Sequence, residues 1–80
     1  MSEYLMQAGR RAELRRTEMK LNFLAGGHRD ALRLALDPHA PIAELPAEKI
    51  LTLAAALAEA IADLQETEAK IKAINDLIGK

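Results

Sequence analysis

Residues 50–78 read ILTLAAALAEAIADLQETEAKIKAINDLI, and this stretch decides the fold. Within it Ile50, Leu53, Leu57, Ala60, Leu64, Thr67, Ile71, Ile74 and Ile78 recur at alternating spacings of three and four. That is a heptad repeat, the pattern of a coiled-coil seam, with Thr67 as its only polar member. No Gly or Pro interrupts it, so the pattern predicts one continuous helix over about 47–78. Pro46 is expected at the first helical position, where its missing N–H costs nothing, and Glu48 then faces the positive end of the helix dipole.

Immediately upstream, residues 37–46 read DPHAPIAELP and hold all three prolines. Asp37-Pro38 stops any preceding helix, because the proline ring disfavours an α conformation at Asp37 and supplies no backbone donor. The segment is long for a helix–helix connection, and Ile42 and Leu45 are expected to fold back over the helix ends.

Before that loop, residues 2–36 carry helical periodicity from a Ser2 cap onward. One stripe contains Leu5, Ala8, Ala12, Met19 and Phe23; a second, about 100° or more around the helix, contains Leu14, Leu21, Ala25, His28, Leu32 and Leu36. Two apolar faces require two neighbours. Gly26-Gly27 lies inside this pattern, but the periodicity resumes in phase at His28, which predicts a continuous or slightly bent helix. A close approach of the small stretch 54–58 is one reason such glycines would be kept.

Two helices of similar length joined by one loop predict an all-α antiparallel hairpin. Folding at the middle of the loop sets Leu5 beside Ile78, Ala12 beside Ile71, Met19 beside Leu64 and Phe23 beside Ala60, so the first stripe is expected to form the seam. Edge charges such as Arg15 with Asp63 and Lys20 with Glu68 add little, since exposed pairs contribute only ~0–1 kcal/mol. Loop and core are expected to fix the register.

At 80 residues the chain makes a single domain near the size where one core is only marginally sufficient, and oligomerisation is a common remedy. It contains no cysteine, which excludes a disulfide framework and thiolate metal sites. Its N-terminus lacks the pattern of a secretory signal, and its longest nearly apolar run, 50–62, is too short to span a bilayer. A cytoplasmic protein without a membrane partner is the expectation. Residues 1–36 carry seven Lys and Arg against four Asp and Glu, while 37–80 carry four against eight, so the two halves attract each other.

Chemistry is sparse. Arg10, Arg11, Arg15, Arg16 and Lys20 form a basic cluster of the kind a phosphate-contacting helix needs, interrupted by Glu13 and Glu18 and without aromatic interleaving. His28 and His39 share no helical face with a carboxylate at ligand spacing, so no metal site is expected; His28 reads as an interface residue. Pairs such as Glu59 with Asp63 spread along a helix instead of converging in a pocket. Neither a catalytic group nor a cofactor is implied.

The reading is a non-enzymatic helical hairpin that dimerises into a four-helix bundle and acts through protein–protein contact with a partner the sequence does not identify. Its expected oligomer interface comprises Leu21, Ala25, His28, Leu32 and Leu36 with Leu51, Ala55 and Ala58, since the loop-proximal half is the more apolar one. Alternatives are a nucleic-acid-associated protein using the basic cluster and a small dimeric helical enzyme. Salt-sensitive binding to generic DNA separates the first alternative from the main reading.

Overall fold

The computed structural model describes residues 2–79 and consists of α1 (Glu3–Ala35), a single 3-10 turn (Ile42–Glu44) and α2 (Ala47–Leu77). The two long helices pack against each other along one seam, giving a rod of 61 × 17 × 15 Å. Among the described residues there is no strand, and no helix is long and apolar enough to cross a membrane.

Local chemistry sets the ends of each helix. The Ser2 hydroxyl accepts from the Tyr4 N–H at 3.1 Å, supplying one of the partners that a helix start lacks. At the other end the Leu36 N–H donates to Leu32 at 2.9 Å, and the chain leaves the helix at Asp37, whose Oδ1 accepts from the His39 N–H at 2.9 Å. Pro46 takes the cap of α2, one residue earlier than expected, where its carbonyl accepts from Ile50 N–H at 2.9 Å. Of the two loop residues expected to fold back, Leu45 is half-buried beside Ala35, but Ile42 stands 83% exposed on the short 3-10 turn.

α1 runs straight through Gly26-Gly27. A methyl group added at either glycine would meet nothing within 4 Å, so close approach by α2 is not what these glycines allow. Gly79 ends the chain's second helix with φ 73°, the left-handed conformation that glycine adopts without steric cost.

The α2 seam is the expected one: Ala60, Thr67, Ile71 and Ile74 are buried, and Ile50, Leu53, Leu57, Leu64 and Ile78 are half-buried. Thr67 is tolerated there because its hydroxyl donates to the Asp63 carbonyl at 2.9 Å.

The α1 seam is not the expected one. Leu5, Met19 and Phe23 are 60%, 71% and 82% exposed and face solvent. The positions that α2 covers are Gln7, Arg11, Leu14, Glu18, Leu21, Ala25, His28, Leu32 and Ala35, again spaced by four and three. The Arg11 guanidinium reaches across to Asn75 Oδ1 at 2.8 Å and marks the level at which the helices meet. A seam built on Met19 and Phe23 would have had to bury Arg16 and Asp30, which lie on the same line of the helix, and would have placed the bare Gly26 against α2. Gln7, Arg11 and Glu18 instead lie half-buried along the seam: Arg11 carries its guanidinium to Asn75 and Glu18 its carboxylate to Arg15, while Gln7 Oε1 is buried without a hydrogen-bond partner among the described residues.

Candidate interaction surface

Among the described residues α1 and α2 pack only against each other, so the hairpin has two broad faces flanking its seam. One face, here called the front, is located by a groove of about 490 Å³ lined by Asn22, Ala25, Gly26, Arg29, Leu57 and Ile61. Steps of seven residues extend it to Ala8, Arg15 and Leu36 on α1 and to Ala54 and Glu68 on α2, with Met19, Leu51 and Ala58 on its outer shoulders. On the back face, Ala31 lines a depression together with Lys49, and Glu3 lines another with Leu77. The same steps place Arg10, Asp63 and Lys70 on that side, with Lys20, Glu59 and Glu66 on its outer shoulders.

From residue 50 to residue 62 the α2 side chains on the front carry no charge; Thr52 and Glu59, the exceptions to the apolar run, both lie to the back. The apolar surface is substantial: Leu51 is 71% exposed, Leu36, Ile61, Ala55 and Ala58 are also exposed, and Leu34 and Phe23 stand out from the outer side of α1. No large side chain is fully buried among the described residues.

The residues singled out as an oligomer interface separate into two groups. Leu51, Ala55 and Ala58 lie exposed on α2, and Leu36 lies exposed at the end of α1. Leu21, Ala25, His28 and Leu32 sit on the intrachain seam and are half-covered by α2, so they are core residues of the single hairpin with one side still open. Met19 and Ile61 are exposed beside the first group and Gly26 is half-buried between them; the sequence signal for Ile61 is its seven-residue spacing from Ala54 and Glu68.

The basic cluster does not form one face. Arg11 is drawn into the seam by Asn75, and Arg15 pairs with Glu18 at 3.6 Å on the front edge. Arg10 and Lys20 belong to the back, and Arg16 lies opposite the seam. All ion pairs among the described residues are local in sequence: besides Arg15 with Glu18, they are Arg29 with Asp30 at 3.4 Å, Glu66 with Lys70 at 3.6 Å and Lys72 with Asp76 at 3.5 Å. Charge therefore contributes little to the hairpin's register, and the cross-helix pairs of Arg15 with Asp63 and Lys20 with Glu68 do not form. His39 lies exposed in the loop, and no three His, Asp or Glu side chains gather closely enough to hold a metal ion among the described residues.

Comparison with known proteins adds no relative: neither a family model, nor a curated protein, nor a solved structure matches the chain.

Proposed function

We propose that this chain is a non-enzymatic cytoplasmic hairpin that self-associates as a homodimer and works through protein–protein contact, as an assembly, adaptor or regulatory subunit. One observation carries the reading: the apolar seam is covered on one side only. Leu21, Leu32, Leu53, Leu57 and Leu64 stay half-exposed although they are the hairpin's own core, while Leu51 and Ile61 stand free beside them. Each large apolar side chain left in water forfeits ~1.5–3 kcal/mol of burial. Several together rival the ~5–15 kcal/mol stability of an ordinary domain. Pairing two hairpins into a four-helix bundle recovers that burial.

The test is sedimentation equilibrium at micromolar concentration. A species of twice the 8.7 kDa chain mass is expected, together with a melting temperature that rises with concentration. A monodisperse 8.7 kDa monomer would overturn the reading.

A further inference from the structure

We infer that the front face is the dimer contact and that the second copy lies on it with both loops at the same end, so that α1 of each hairpin runs antiparallel along α2 of the other. This rests on the self-association proposed above and adds the face and the orientation.

The front is chosen by what α2 puts there. Ala54, Ala58 and Ile61 flank the open seam without a charge between them, whereas the same stretch of α2 presents Lys49, Glu59 and Asp63 toward the back. A contact formed on the back would have to strip water from those three ions, whereas the front groove holds one, Arg29, whose long stem lets its guanidinium reach the rim. The front has the dimensions a stable partner needs. A strip 61 Å long and 17 Å wide covers roughly 1,000 Å², against the ~800 Å² per partner typical of specific complexes.

Charge then selects the orientation. Two hairpins stacked front to front by a two-fold axis have two arrangements. With loops at opposite ends, α1 lies antiparallel on its own symmetry mate, and Arg15 of each copy approaches Arg29 of the other. With loops at the same end, α1 lies on the partner's α2 at matching level. The Arg11–Asn75 bond fixes that level: Arg15, one turn further into α1, is level with residue 71 of α2 and so stands within one turn of the partner's Glu68, and symmetry makes the pair twice. Glu68 has no ion-pair partner within its own chain among the described residues, and Arg15 holds Glu18 at a loose 3.6 Å. Gly26 meanwhile falls opposite the partner's Ala58, small against small, where the two backbones can approach. That gives Gly26 a role that its surroundings within one chain do not.

The chain's lack of cysteine makes a labelling experiment direct. Nitroxide labels on Ala43→Cys, in the loop, are read by pulsed dipolar spectroscopy on the intact protein, alongside the association state of Ala58→Glu and Thr52→Glu. Labels within roughly 20–30 Å, a dimer abolished by Ala58→Glu and a dimer retained in Thr52→Glu are the expected results. Helix content by circular dichroism separates lost association from lost folding, and Ala58→Gln provides a milder probe if Ala58→Glu unfolds. A dimer with labels farther apart than about 50 Å, approaching the 61 Å length of the rod, would overturn the orientation. A dimer sensitive to Thr52→Glu and indifferent to Ala58→Glu would overturn the face, and either result would leave self-association standing. A wild-type monomer would remove both proposals together.

Discussion

The terminal half of the hairpin and its loop-proximal half carry the same heptad on α2 and cover it in opposite ways. Toward the termini, Thr67, Ile71 and Ile74 are buried, the two isoleucines to 4% exposure, although the facing residues of α1 include Gln7, Arg11 and Glu18. Long side chains close that half because their flexible stems fill the space beside the isoleucines; Arg11 delivers its end to Asn75 and Glu18 to Arg15, while Gln7 leaves its Oε1 buried and unpartnered among the described residues. Toward the loop, the facing residues are apolar apart from His28, namely Leu21, Ala25 and Leu32, yet only Ala35 and Ala60 are buried. Short branched side chains interdigitate along the line of contact but cannot roof it. The more polar half is thus the self-contained one, and the greasier half is the one that needs company.

This contrast can be broken first at its closed end. Ile71→Asp places a carboxylate where no partner can reach it and is expected to cost more than ~4 kcal/mol, leaving the chain unfolded at every protein concentration. Circular dichroism is the readout, and a folded variant would mean that the terminal half is not closed. Leu57→Asp, in the open half, is expected to abolish assembly and lower helicity, with partial recovery at high concentration or in stabilising salt. Identical, concentration-independent unfolding by both changes would erase the distinction between the halves.

Smaller changes sharpen it. Gly27→Ala, at an exposed helical site with open space around it, is expected to stabilise by about 0.5–1 kcal/mol, read as a higher Tm. Arg11→Met keeps the apolar stem over Ile74 and removes only the bond to Asn75, so its cost is expected to stay near ~1 kcal/mol in denaturant unfolding. A loss of several kcal/mol would show that the bond, rather than the stem, closes the terminal half. Glu66→Ala, on the exposed side of α2, is expected to change stability by no more than ~0.5 kcal/mol.

The residues that made the fold readable are the ones with a single physical role. An uninterrupted heptad placed every seam residue of α2, Asp37-Pro38 ended α1, and Ser2 capped it, because each of these signals is local and unopposed. The seam of α1 was not legible in the same way. Gln7, Arg11 and Glu18 look like surface residues until their stems are considered, and Met19 and Phe23 look like core until the charges on their own line, Arg16 and Asp30, are weighed. That error rotated α1 by roughly 150° while leaving the hairpin and its approximate level intact. It also concealed the division of the suspected interface: Leu51, Ala55 and Ala58 are exposed on α2, whereas Leu21, Ala25, His28 and Leu32 were counted as outer surface although they face α2.

Hydrogen exchange followed residue by residue, at concentrations just above and just below the midpoint of dimer dissociation, tests the one-sided core most directly. Amides in the loop-proximal segments 19–35 and 50–64 are expected to lose protection on dilution, while those around Ile71 and Ile74 keep theirs longest. Equal protection of both halves, unchanged by dilution, would contradict it.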